Sequence, residues 1–152
     1  MPLDPSVVGR SWPPCTYEVA REKIREFADA VGATDPVHHD AEAARAAGHP
    51  DVVATPTFPV VFTWAATRIV VDDPDLGLDF PRVVHRDQSF VFSRPVYAGD
   101  TLTSHVSVED ARELAGNDVV TFRCAVTDTG GDAVLTTTAT LVGRAEPAEE
   151  AS

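Results

Sequence analysis

The sequence predicts an α+β fold in which an antiparallel sheet wraps one long buried helix. Three observations predict it. A run from Pro56 to Val71 is apolar nearly all round. Four later segments alternate apolar and polar residues, as half-buried strands do. Short stretches of turn-forming residues join those segments, which makes neighbouring strands antiparallel.

The elements follow in order. Residues 1–15 are Pro-rich and wrap the surface before a short extended piece at Tyr17-Glu18-Val19. Ile24, Phe27, Ala28 and Val31 recur at helical spacing from about Arg21 to Val31, Glu22 sits in the first turn and Gly32 supplies the stop. Asp40 caps a short Ala-rich helix that ends at Gly48, where His49-Pro50 forbids continuation. Thr57 is the expected N-cap of the apolar run, and Asp72-Asp73-Pro74 ends it. Its ~14 residues span ~21 Å, enough to cross a sheet but not a bilayer. Polar interruptions are few (Thr63, Thr67 and Arg68), so this helix is buried on most sides and keeps an apolar side for a second copy or a partner.

Residues 74–82 read as a loop. Strands follow over about Val83 to Ser93, with Phe90 and Phe92 on one face, then around Leu102 to Val108, Val120 to Val126 and Ala133 to Leu141. The turns are Pro95 to Asp100, Ala115 to Asp118 and Asp128 to Gly131. The domain is expected to cover residues 1–143, with an acidic, disordered tail over 144–152.

At 152 residues the chain is long enough for one substantial core. Its formal net charge of −12 argues against nucleic acid and anionic membranes as partners. The first residues lack the basic and apolar regions of a signal peptide, and no apolar run reaches membrane-spanning length. Cys124 falls in a strand-like alternation and Cys15 lies far from it, which suits a reduced, cytoplasmic protein. No cofactor is expected.

Chemistry concentrates in Gly32-Ala33-Thr34-Asp35-Pro36-Val37-His38-His39, where a helix stop, a carboxylate, a rigid turn and two imidazoles lie together. A plain helix C-cap followed by a turn accounts for part of this stretch, and both histidines can simply satisfy backbone carbonyls. A metal bound by His38, His39 and Asp40 with His49 or His85 is disfavoured, because adjacent histidines do not put two ligands on one face.

Taken with the buried helix and the phrase Phe92-Ser93-Arg94-Pro95-Val96-Tyr97-Ala98-Gly99-Asp100-Thr101-Leu102, this stretch resembles the MaoC-like (R)-specific hydratase/dehydratase family of hot-dog folds. The likeness covers nearly the whole chain, including Ala44 six residues after His38. The Tyr17-Glu18-Val19 and Arg21-Glu22-Lys23-Ile24-Arg25-Glu26 opening is similar to the small single-hot-dog subunits of split (3R)-hydroxyacyl-ACP dehydratases, also described as FAS1-like dehydratase N-terminal domains. The resemblance implies lipid metabolism, an acyl-CoA or acyl carrier protein thioester as ligand, and a homodimer or a heterodimer with a catalytic hot-dog subunit. In such heterodimers a subunit of this kind helps to form the acyl channel.

The family's hydratase motif is Gly-Asp-x-Asn-Pro-aliphatic-His. Gly32, Pro36, Val37 and His38 match it, whereas Ala33 stands at the Asp position and Asp35 at the Asn position. Removing water from a 3-hydroxyacyl thioester needs a base near the α-carbon, an acid near the hydroxyl and a donor to the thioester oxygen. Ala33 cannot share proton transfer with His38. Active relatives also keep a Gly at the start of the buried helix, whose N–H holds the thioester oxygen. Here Pro56 takes that place and has no N–H.

The resemblance therefore implies an acyl-chain-binding subunit of a (3R)-hydroxyacyl-thioester dehydratase, a hydro-lyase, whose catalytic Asp/His pair comes from a partner. One alternative is a self-sufficient homodimeric hydratase using His38 with Asp35. Another is a non-enzymatic acyl-thioester-binding protein. Pro56, Thr57, Phe58 and Phe62 are the expected substrate-binding residues of the helix region. Arg86 and Arg94, in a local run with Arg82 and His85, are candidates for docking the phosphates of coenzyme A or an acidic carrier protein, or form an ordinary charged strand edge. The absence of Asp or Glu from Thr57 to Val71 argues against hot-dog thioesterases and single-type dehydratases, which place an acid on that helix.

Overall fold

Helix α3 (Val60–Val71) lies against a five-stranded antiparallel sheet built from β1 (Cys15–Glu18), β2 (Val83–Phe92), β3 (Thr101–Leu114), β4 (Asn117–Thr127) and β5 (Ala133–Gly143). Two further helices, α1 (Arg21–Val31) and α2 (Ala41–Ala46), precede it. This computed structural model describes residues 3–144. The expected tail lies outside the described residues except for Arg144, whose N–H donates to the Arg82 carbonyl at 3.1 Å. The sheet around a buried helix is the predicted hot-dog arrangement.

The alternation of the strands sets which side meets the helix. Leu102, Ser104, Val106 and Val108 of β3, Phe122, Cys124 and Val126 of β4, and Leu135, Ala139 and Leu141 of β5 are all buried. All of them except Ser104 and Ala139 join Phe62, Ala66 and Val70 of α3 in one continuous core. Aromatic rings tie the N-terminal elements to it: Tyr17 stacks on Phe62 at 5.2 Å between centroids, and Phe27 meets Phe58 edge-on at 5.6 Å.

Strand order departs from the simple meander that short turns suggest. It is β1-β3-β4-β5-β2, so β2 pairs with β5 rather than with β3. Residues 93–100 therefore cross from one side of the sheet to the other. Three strand spacings are ~14 Å, and eight residues can reach ~26 Å, so length does not oblige this connection to be a hairpin.

Other boundaries also shift. The first strand is Cys15–Glu18, and residues 9–12 extend its line along β3 through Gly9 N–H to Val108 O (2.9 Å) and Trp12 N–H to Val106 O (3.2 Å). A bulge between Val108 and Asp110 breaks the two-residue period in β3, which lets the strand run on to Leu114 with Ala111 buried. Thr57 does not cap α3. Residues 56–59 form turns, Pro59 occupies the cap position without a side-chain cap bond, and the helix has 12 residues. Proline fixes φ near its helical value, so the Phe58-Pro59 step sets the start.

The outer side of α3 remains uncovered. Ile69 is 58% exposed, and Trp64 stacks on His85 of edge strand β2 at 5.2 Å. At the other end of that strand Val91 is 68% and Phe92 38% exposed. Among the described residues no helix is long and apolar enough to cross a membrane.

Candidate active site

The key stretch is built by three successive caps. Gly32 ends α1 with φ 73°, a left-handed conformation that glycine adopts without strain. Ala33 then donates its N–H to Ala28 O at 2.8 Å. Asp35 is the N-cap of a 3-10 turn over Pro36–His38, its carboxylate accepting from Val37 N–H at 3.0 Å. Asp40 caps α2 in the same way through Glu42 N–H at 2.8 Å, as predicted. Arg25 reaches over from α1 to the His39 carbonyl at 2.7 Å and fixes the stretch against the helix.

Both imidazoles then have defined partners. His39 lies 2.7 Å through Nε2 from the Ala33 carbonyl, so that nitrogen carries the proton and donates. His38 contacts the Val53 carbonyl through Nδ1 at 2.6 Å. A carbonyl only accepts, so Nδ1–H is the donor, and Nε2 of a neutral ring is left as an acceptor.

Residues 52–54 form the piece against which His38 is set. Val53 N–H donates to Val37 O at 2.9 Å on one side. On the other, Ala54 N–H meets Val96 O at 2.9 Å and Ala98 N–H meets Val52 O at 3.0 Å. An ion pair between Arg21 and Asp51, with contacts of 2.7 and 2.8 Å, anchors the approach to this piece. Hydrogen bonding to Arg21 is the main reason that the Asp51 carboxyl is held down to about 2.

A cavity of about 500 Å³ opens here, lined by His38, Val53, Ala54, Pro56 and the continuous run Phe92 to Val96. Its wall is mostly apolar, and no Asp or Glu lines it. His38, Pro56 and Arg94 thus come together around one space. Asp35 is turned to its capping role and does not line it. Phe58, in the turn before α3, and Phe62, on α3 itself, are buried in the core, whereas Thr57 is exposed in that turn.

The basic run does not converge. Arg94 forms a two-pronged pair with Asp100 (2.8 and 3.1 Å), donates to Pro95 O at 2.9 Å and lies 3.8 Å from Asp128. The Asp100 hydrogen bonds hold its guanidinium proton more tightly than usual. Arg86 sits exposed beside Asp87 at 3.7 Å, eight residues away, or ~26 Å along an extended chain. Among the described residues no three His, Cys, Asp or Glu side chains are grouped to hold a metal.

Val53, Ala54, Phe92, Ser93, Pro95 and Val96 line the cavity without having been singled out as site residues. The phrase from Phe92 onward carries the signal for four of them; the sequence reading puts Phe92 and Ser93 at the end of a strand and Pro95 and Val96 in a turn, none of them at a site.

The fold and this site define the MaoC-like hydratase/dehydratase class of hot-dog proteins. Residues 6–137 match the family model of the FAS1-like dehydratase domain region, and the chain belongs to that family. It is 55% identical over 152 residues to a UPF0336 protein of Streptomyces coelicolor, with 99% of this chain and 100% of the relative covered. Among solved structures it is similar to the HadBC (3R-hydroxyacyl-ACP dehydratase) complex of Mycobacterium tuberculosis, with a TM-score of 0.82, 33% identity, and 90% of this chain and 97% of that chain covered. A MaoC-like dehydratase gives a TM-score of 0.85 at 34% identity over 93% of this chain and 43% of its own.

Proposed function

We propose that this chain is a subunit of a (3R)-hydroxyacyl-thioester dehydratase or enoyl-thioester hydratase, and that its own cavity binds the acyl group. The catalytic Asp/His pair then comes from a partner hot-dog subunit. One observation carries this reading: the cavity holds an oriented imidazole but no carboxylate to share proton transfer with it.

The chemistry sets the requirement. Elimination of water from a 3-hydroxyacyl thioester moves one proton from the α-carbon and gives one to the departing hydroxyl. His38 can accept a proton at Nε2. Ala33 offers nothing to the second transfer, and Asp35 is engaged with Val37 N–H. The uncovered apolar side of α3 and the exposed Val91 and Phe92 at the edge of the sheet support a partner that packs there. A heterodimer fits the HadBC likeness, since that structure is itself a complex of hot-dog subunits. The ligand is the acyl thioester of CoA or of a carrier protein.

The test is crotonyl-CoA hydration by the purified chain, alone and co-purified with a catalytic hot-dog subunit from the same genome. Activity is expected only in the pair. Ordinary enzyme rates from the lone chain, abolished in His38→Ala, would establish the self-sufficient alternative instead.

A further inference from the structure

We propose that the main-chain N–H of Val96 binds the carbonyl oxygen of the acyl thioester in this cavity. The inference rests on the acyl-thioester reading above and assigns the contact to a residue outside the hydratase motif.

Residues 52–54 and 96–98 run antiparallel, with Val53 opposite Tyr97 in an isolated bridge. On either side of that bridge a regular ladder places a pair that exchanges two hydrogen bonds, Val52 with Ala98 and Ala54 with Val96. Each pair makes only one of them: Ala98 N–H to Val52 O at 3.0 Å, and Ala54 N–H to Val96 O at 2.9 Å. Of the two donors left over, Val52 N–H is taken by the Asp51 carboxylate at 2.7 Å. Val96 N–H has no hydrogen-bond partner among the described residues.

The reason lies in the chain after Ala54. The N–H and C=O of one strand residue project to the same side, so Val96 N–H is aimed, like its carbonyl, at residues 54–56. Residues 56–59 form turns, and this segment leaves the strand line before it returns an acceptor. Both lips of the resulting gap line the cavity, Val53, Ala54 and Pro56 on one side and Pro95 and Val96 on the other. A carbonyl oxygen entering between them takes the place of the missing strand partner.

Burial decides among the donors at this cavity. Val96 is 1% exposed, so its N–H carries the full cost of an unmade bond until a ligand relieves it. The Ser93 hydroxyl and Arg94 Nε–H are also unpaired, but Ser93 is exposed and Arg94 half-buried. Solvent serves both, and a ligand there only exchanges one partner for another. Thr55 Oγ1 is buried without a partner, but Thr55 does not line the cavity. A thioester suits the Val96 donor because its oxygen accepts and it brings no N–H of its own into a mostly apolar space, unlike the amides of coenzyme A.

The test compares butyryl-CoA, which cannot undergo hydration or dehydration, with its thioether S-butyl-CoA, which keeps the amides of coenzyme A but lacks the thioester carbonyl. In the full ¹⁵N-labelled chain, the Val96 amide proton is expected to move downfield with butyryl-CoA and not with S-butyl-CoA. Calorimetric titration is expected to give about ten-fold tighter binding of the thioester, the effect of satisfying one buried donor. Replacing Val96 by its α-hydroxy acid counterpart keeps the side chain and puts oxygen in place of N–H. That replacement abolishes the thioester preference and leaves S-butyl-CoA binding unchanged.

A Val96 amide proton that does not move overturns the contact, and so does a thioester preference that survives the replacement. An equal shift with both ligands gives the N–H to an amide of coenzyme A and overturns it as well. These results leave the acyl-binding reading intact provided that each ligand binds more tightly than free CoA. Binding of both no tighter than free CoA overturns the inference and that reading together.

Discussion

Arg94 and Asp100 face each other across the ends of one turn, their paired contacts at 2.8 and 3.1 Å. The same carboxylate also accepts from Tyr97 N–H at 2.9 Å. One half-buried side chain therefore sets the conformation of the segment that supplies five of the nine cavity residues. Asp100→Ala is expected to cost about 2–3 kcal/mol, because it strands a charged donor and a main-chain N–H. Urea denaturation measures that loss. Ligand binding in the surviving folded fraction should weaken as well, since the wall at Pro95 and Val96 loses its brace.

The missing chemistry can be put back. Ala33→Asp places a carboxylate at the position where the resembled motif keeps one, and Pro56→Gly restores a main-chain donor. The double variant is expected to raise crotonyl-CoA hydration by the lone chain at least ten-fold above its background. His38→Ala in that variant should return it to background. A double variant that folds and remains at background would count against His38 as half of a catalytic pair.

Acid sensitivity has a local source. Asp51 titrates at about 2 in the folded chain against 3.8 for an unperturbed group, mainly through its hydrogen bonds to Arg21. A depressed carboxyl stabilises the fold above the unfolded-state value, and that contribution disappears as pH falls from about 4 towards 2. Asp51→Asn should flatten this part of the stability profile while lowering stability at neutral pH. Thermal melts of both proteins across that range test it.

Core packing near the site depends on Phe58, which is fully buried and meets both Phe27 and Phe62. Phe58→Ala should cost about 3–5 kcal/mol through the cavity it leaves. Phe58→Leu should cost less.

The two thiols should differ in reactivity. Burial pushes the Cys124 thiol up to about 11, and Cys15 is only half-buried. A disulfide-exchange reagent at pH 8 is expected to modify at most one thiol in the native chain and two in urea. Rapid native modification of both would contradict the burial of Cys124.

Much of this fold was legible because single residues speak for their own neighbourhood. Ile24, Phe27, Ala28 and Val31 mark a helical face, Gly32 a left-handed stop, and Asp40 a cap, and each depends on a few nearby atoms. Sheet order was not legible. Nothing in Ser93 to Asp100 states that the chain crosses the sheet, because the pairing of β2 with β5 is decided by contacts some fifty residues away. The start of α3 was missed for a smaller reason: Thr57 looks like a cap, but Pro59 fixes the backbone two residues later. At the site, His38 was readable from its motif. The capping role of Asp35 was equally a local matter, yet its carboxylate invited a catalytic reading that the Val37 hydrogen bond makes costly.

The placement of β2 also bears on synthesis. Val83 pairs with Gly143 and Phe92 with Leu135, so this strand has no hydrogen-bonding partner until almost the whole domain has left the ribosome. For that interval Val91 and Phe92 travel with an open strand edge, an invitation to the wrong neighbour. If the proposed partner subunit is made nearby, it meets that edge at the moment it is most available, and the order of translation then favours that pair over aggregation.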